Sequence, residues 1–378
     1  MISKLFARYR HLLFEEYRMT PEALGLFRIA AMLVFLLLWG MPTFRALAGV
    51  SDYFFEPQTL SVARWLFPTK PPLAVFYLLD AGVLLSALCL LFGYRTRAAA
   101  LVFTVLLITG FSLRFSLGKI GHSIYAVVFP LIMLGSGWEN RYSIDARKGR
   151  IARPADYRGV FPFLTALLIG VGFFSAGVAK SAWLNPDKFG TYHYFIEGFV
   201  RGNKVGLLGN FAYDYLPAVA WKAMDYTTVA FEVLFLPAVL SRRIFRWFIA
   251  AAVCFHVVAL LLMGIPYVNN YCAYLLFLAW GPVVAVLQRW GIPARLARWA
   301  TMRNLGLSIA VWCLAYAAVY LIGGDILRDR NVSPVAIFAA LVEWDYRALR
   351  GWIMVPGGLF VLLLDIYLRR AKNTAPQE

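Results

Sequence analysis

Stretches of about 20 mainly apolar residues, the length that crosses a bilayer as a helix, recur near 24–43, 73–93, 98–117, 120–138, 160–180, 224–240, 247–267, 271–288, 305–323 and 351–368. The pattern predicts an all-α, polytopic integral membrane bundle of about ten transmembrane helices, because lipid admits only structures that satisfy their own backbone hydrogen bonds. No stretch shows the alternation expected of an outer-membrane barrel strand. The first eight helices form a core and the last two a C-terminal pair. The expected organisation is a cytoplasmic amphipathic helix over 1–22, a transmembrane core over 23–290, and a hairpin with a cytoplasmic tail over 291–378. The segments 44–72 and 181–223 are rich in aromatic residues and proline and predict short interfacial helices.

Composition sharpens the reading. Of 378 residues, 61% are hydrophobic and only 15% charged, too few charges to cover the surface of a soluble domain. A soluble enzyme, a disordered chain and a disulfide-rich secreted domain are all excluded. Lys and Arg total 37 against 20 Asp and Glu, a net +17, but they cluster in short groups between the apolar runs. That distribution suits an anionic membrane surface, with lipid as the partner and no nucleic acid. Alternate inter-helix segments carry 22 and 13 basic residues. The denser set belongs inside, which places both termini in the cytoplasm of a multi-pass protein of the cell inner membrane. Ala46-Leu47-Ala48 resembles a signal-peptide cleavage site, but the charged stretch before it is long and holds Glu15, Glu16 and Glu22. Cys89, Cys254, Cys272 and Cys313 lie in apolar runs and read as small buried hydrophobes.

Ionisable residues inside a span are costly and mark function by default. Here they are Arg28, Asp80, Arg114, His122, Lys180, Glu232 and His256. Lys180 ends an apolar run; away from water its free amine becomes available as a base, whereas a snorkelling lysine keeps its ammonium among the headgroups. His122 opens a span at the same face, where an imidazole exchanges protons near neutral pH or simply bonds a loop carbonyl. Glu232 and His256 sit mid-span and need partners, most simply on neighbouring helices. Asp80 and Arg28 are expected to pair between the first two spans. Arg114 either holds an anionic group or snorkels. There is no phosphate-binding glycine loop, no H-E-x-x-H, no G-x-S-x-G and no ligand set for a metal.

Five short motifs occur in order: Gly93-Tyr94-Arg95-Thr96-Arg97, Gly121-His122-Ser123-Ile124-Tyr125, Glu139-Asn140-Arg141-Tyr142-Ser143-Ile144-Asp145, Phe174-Ser175-Ala176-Gly177-Val178-Ala179-Lys180, and Phe255-His256 followed by Gly264-Ile265-Pro266-Tyr267. In this order the chain resembles the HTTM (horizontally transferred transmembrane domain) proteins, a family that includes the vitamin K-dependent γ-glutamyl carboxylase. The resemblance implies a reduced vitamin K-type quinone such as menaquinol, with oxygen and carbon dioxide as co-substrates. It gives Lys180 the place of the base that deprotonates the hydroquinone and His122 that of an assisting proton donor or orienting group. In the carboxylase, oxygen then adds, and the resulting alkoxide removes the γ-proton of a glutamate whose carbanion attacks carbon dioxide. Two differences stand out. The carboxylase has a large luminal domain after its helices, where residues 291–378 here read mostly as two spans. The second lysine that precedes its catalytic one is Ala179 here.

Two functions follow as expectations. The first is a quinol-dependent membrane enzyme with an outward-facing pocket, Lys180 as base, His122 assisting, Arg114, Glu232 and His256 around substrate or anion, and an unknown acceptor. The alternative is a non-enzymatic transporter or a scaffold for a redox partner. Discontinuous helices would favour transport.

Overall fold

A computed structural model describes residues 2–59, 61–117, 123–150, 159–200, 206–265 and 267–322, with single positions beyond. The described chain is all-helical. In order, its helices are α1 (Ile2–His11), α2 (Pro21–Leu33, widening to a π-helix over Val34–Trp39), α3 (Val62–Leu66), α4 (Leu73–Phe92), α5 (Thr96–Phe115), α6 (Ile124–Ile132), α7 (Ile144–Arg147), α8 (Val160–Ala179), α9 (Gly190–Val200), α10 (Gly209–Tyr215), α11 (Ala218–Ala238), α12 (Arg242–Met263), α13 (Val268–Tyr274), α14 (Trp280–Arg289), α15 (Ile292–Trp299) and α16 (Met302–Ile322). Among the described residues, five helices are long and apolar enough to cross a membrane, or six if the bent pair α13–α14 counts as one span. This is a helical membrane protein. Exposed Leu78, Val105, Val258 and Leu314 on the outer faces suit a lipid solvent, and phenylalanines crowd the interior.

The two ends of the bundle are held differently from its apolar middle. At the end where the chain enters, Thr20 caps α2, accepting from Ala23 N at 3.2 Å, with Pro21 in the first turn. Close by, the Tyr17 hydroxyl donates to Val239 O at 2.8 Å. Helix α4 stops at Gly93, whose φ of +64° is left-handed. A Cβ there would lie 2.3 Å from the Ser143 Cβ and 2.9 Å from Arg28 Nη1, so glycine alone fits. Asp145 then starts α5 by accepting from Arg95 N (3.0 Å), Thr96 N (2.8 Å) and Thr96 Oγ1 (2.9 Å).

Arg28 is fully buried at this end, and the expected Arg28–Asp80 pair does not form. The guanidinium donates instead to carbonyls: Leu90, Leu91 at 2.8 Å, Trp138 at 3.2 Å, Arg141 at 3.4 Å and Tyr142 at 2.7 Å. The Leu90 and Leu91 carbonyls belong to the last turn of α4, where the dipole favours a cation; Leu90 O accepts from Gly93 N as well. Asp80 is buried nearer the other end and accepts from Phe44 N (2.7 Å) and Arg45 N (3.4 Å), fixing the turn after α2.

Several expected boundaries change. The run at 120–138 is helical from Ile124 to Gly135 only, and residues 118–122 lie outside the described set. The run at 224–240 is part of the longer α11, which begins at Ala218 and includes Lys222 and Asp225. The run at 271–288 is not straight: α13 continues to Phe277, and α14 leaves at 86°. Pro282 explains the break, since inside a continuous helix its ring would clash with the Leu278 carbonyl, whereas the first turn of α14 accepts it. Trp280 Nε1 (to Leu275 O, 2.9 Å) and Arg246 Nε (to Phe277 O, 2.8 Å) satisfy carbonyls freed at the break. The last run, 351–368, lies outside the described residues apart from single positions. Of the four cysteines, all free, only Cys272 is buried; Cys254 and Cys313 are exposed on outer helix faces, where lipid tolerates them. The short helices expected in 44–72 and 181–223 are present, as 3-10 turns at Phe44–Gly49, Asp52–Phe54 and Ser181–Leu184 together with α3, α9 and α10.

Candidate functional site

Helices α8 and α11 pack along their length because α8 offers small residues to the contact. A Cβ on Gly170 would lie 2.7 Å from the Val239 side chain, and one on Gly177 would lie 3.0 Å from Glu232 Cβ and 3.1 Å from Val233 N. Gly170, Phe173, Gly177 and Lys180 repeat at three- and four-residue steps, so they share one face. Between the two glycines the Phe173 ring stacks on Phe235 at 4.2 Å.

At the end of that face Lys180 turns back into the bundle. Its Nζ donates to both oxygens of Glu232, at 2.8 and 2.7 Å, and to Ala176 O at 3.4 Å, with the Trp183 ring 5.7 Å away. The Glu232 side chain is only 5% exposed and the Lys180 side chain 27%. The carboxylate is therefore sealed while the amine keeps one open side. The snorkelling geometry does not occur.

Helix α11 carries two further buried charges that sequence reasoning did not single out. Lys222 Nζ donates to the carbonyls of Trp183 (2.6 Å), Asn185 (2.5 Å) and Lys188 (2.6 Å), with Asp225 at 3.6 Å. Asp225 accepts from Gly190 N (3.0 Å) and Thr191 N (2.7 Å), starting α9. The stretch 181–190 that follows Lys180 is thus tied down by α11. The signal was the spacing of Lys222, Asp225, Val229 and Glu232, one helical stripe.

A second cluster surrounds His256 on α12. Its Nε2 lies 3.0 Å from the Tyr274 hydroxyl and 3.4 Å from Asn270 Nδ2. An amide nitrogen only donates, so this arrangement makes Nε2 the acceptor and leaves the ring proton on Nδ1. Nδ1 is buried with no protein partner, as is the hydroxyl of Tyr271. The imidazole stacks with Tyr267 at 4.5 Å and Tyr274 at 5.8 Å, and Phe173 lies 6.3 Å away. Tyr267 has φ +28°, a strained left-handed value for a side-chain-bearing residue. Phe173 joins the two clusters, touching Phe231 beside Glu232 on one side and His256 on the other.

Of the expected site residues, Lys180 and Glu232 meet directly, and Phe173 stands between them and His256. Arg114 is in the last turn of α5, exposed, and that helix packs on α3, α4 and α6. His122 lies outside the described residues, as does Pro266. The motifs divide by role. Residues 93–97 and 139–145 form one structural knot, in which Asp145 starts α5 and Arg97 pairs with buried Glu139 at 3.0 Å. Residues 174–180 and 255–267 build the two clusters.

No curated protein and no solved structure matches the chain. The family model of the HTTM domain matches residues 17–280, the stretch that holds the structural knot, both clusters and every helix from α2 to the bend at Trp280, and the chain therefore belongs to the HTTM domain family.

Proposed function

We propose that this protein is a quinol-dependent membrane enzyme of the oxygenating, carboxylase-like kind, with Lys180 and Glu232 acting together as its proton acceptor. It would sit in the cell inner membrane with both termini cytoplasmic and the Lys180 end facing outward. The observation that carries the reading is the bidentate Lys180–Glu232 pair, sealed on its carboxylate side and part-open on its amine side. A buried ion pair is a poor stabiliser for its cost, and one beside the packed rings of Trp183 and Phe231 is better explained by chemistry.

The residues beside the pair suit a flat aromatic diol. Phe173, Tyr267 and Tyr274 offer ring faces, and the unpartnered His256 Nδ1 and Tyr271 hydroxyl are buried donors for its oxygens. A vitamin K-type quinol such as menaquinol, bound there, would supply the reducing chemistry, with oxygen and carbon dioxide as co-substrates. With a diol held there, Lys180 would pass one proton to Glu232 and, as a free amine, accept one in its place. The ammonium would then be restored with Glu232 a neutral acid, leaving Lys180 to attract the charge on the diol. Low polarity strengthens that last attraction and protects the site from water. His122 keeps the assisting role the resemblance gives it. The acceptor is a peptide glutamate, a lipid or a small molecule.

The test is epoxide formation. Purified protein with reduced menaquinone under oxygen is expected to yield quinone epoxide, and Lys180→Ala, Lys180→Arg and Glu232→Gln are each expected to abolish it. Activity surviving in Glu232→Gln would remove the carboxylate from the mechanism. Background epoxide from folded wild-type protein with every quinol tried would overturn the enzyme. The transport reading would then lead, favoured by the 86° break between α13 and α14, since transporters build sites at broken helices.

A further inference from the structure

A cavity lies at the opposite end of the bundle from Lys180. It encloses about 450 Å³ where the chain enters α2, and Glu16, Arg18, Arg242, Arg243, Arg246 and Trp280 line it. Three helices start at its wall: α2 from Thr20, α12 from Ser241 and α14 from Ala279. At each of these starts the positive end of the helix dipole adjoins the cavity, and of the first amides Ala23 N is bonded to Thr20 Oγ1 and Arg242 N to Glu16 Oε1. Four arginines line the cavity with Glu16; Arg18 Nη1 lies 3.5 Å from a Glu15 oxygen, and Glu16 accepts from Arg242 N at 2.9 Å and lies 3.4 Å from His11 Nε2.

Two of the arginines are fixed by the fold. Arg242 Nη1 donates to Arg18 O at 2.7 Å, and Arg246 Nε donates to Phe277 O at the helix break. Their positions are set before any ligand arrives, which lowers the ordering cost of binding. The 86° bend places the start of α14 beside α12. Without it, residues 280–289 would continue along α13 and the cavity would lack one wall.

We infer that this cavity binds a phosphate group. Guanidinium forks and converging helix N-termini both recognise phosphate oxygens. The cavity sits where the spanning helices α2 and α12 begin, which puts it at the depth of lipid headgroups. The phosphate belongs either to an anionic phospholipid or to a small phosphate in solution.

Native mass spectrometry of the full chain in non-ionic detergent, with equal phosphatidylglycerol and phosphatidylcholine, tests this. Wild type is expected to retain phosphatidylglycerol preferentially, and Arg243→Gln to reduce retention about tenfold, the loss of one charge-assisted bond. Gly281 has open space where a Cβ would stand, so Gly281→Glu puts a carboxylate into the cavity and should abolish retention, while Gly281→Ala controls for the backbone change. If millimolar inorganic phosphate displaces the lipid and alone raises the melting temperature, the ligand is a soluble phosphate; if it does neither, the ligand is the lipid. Equal retention of both lipids without any effect of inorganic phosphate, or retention unchanged in both Arg243→Gln and Gly281→Glu, overturns the site. Epoxide formation plays no part in this readout, so the two proposals fail separately.

Discussion

Arg28 and Lys180 are both cations held inside the bundle, and they are held in opposite ways. Arg28 meets only backbone carbonyls, is fully buried, and ties α2 to the end of α4 and to 138–142. Lys180 meets a titratable side chain and stays partly open. A guanidinium among carbonyls has nowhere to send a proton, because neither party changes protonation state within reach of neutral pH. An amine on a carboxylate can exchange one. The contrast separates a charge that builds the fold from a charge suited to chemistry, in one molecule and by one criterion: the nature of the partner.

Three experiments press on that contrast. The largest effect is expected at Arg28. Arg28→Ala strands the carbonyls of α4 and the 138–142 turn, and the folded protein should lose about 3–5 kcal/mol, enough to prevent recovery of a monodisperse sample. Arg28→Lys should not rescue it, since one ammonium cannot reach carbonyls on both sides of a planar fork. Size-exclusion profiles and melting in detergent read both variants.

Next comes the pair. Lys180→Ala leaves a buried carboxylate unpaired and should cost about 3–5 kcal/mol, unless Glu232 takes up a proton. Lys180→Met combined with Glu232→Leu should recover most of that loss while remaining inactive. If the double variant melts as low as the single one, the pair is structural and resembles Arg28 more than the comparison allows.

The smallest effect is expected at Lys222. Lys222→Met frees three carbonyls in the segment after Lys180, so amide exchange should rise across 181–190 with little change in global melting. Unchanged exchange there would mean that Lys222 does not hold the segment, leaving that task to Asp225.

Much of this was legible in the chain. The length of the apolar runs gave α2, α4, α5, α8 and α12 to within a few residues, since a spanning helix leaves a long uniform trace. The break at 278–280 was hidden because an apolar window ignores direction, although Gly281-Pro282 was there as a warning. Lys180 drew attention by its cost in an apolar run. Its partnership with Glu232, 52 residues on, is a tertiary fact with no local mark. Arg28 was given the wrong partner for a related reason: backbone carbonyls are present at every position, so a sequence never advertises which of them are vacant. Lys222 and Asp225 were readable from helical spacing, but Lys222 lies just before the apolar run at 224–240 and Asp225 at its very edge.

Helix α11 fastens three things at once: the loop after α8 through Lys222, the start of α9 through Asp225, and the Lys180 amine through Glu232. All three fasteners sit on a single rigid rod. Any tilt or rotation of that rod moves the 181–190 segment and the Lys180 amine together, so neither shifts without the other.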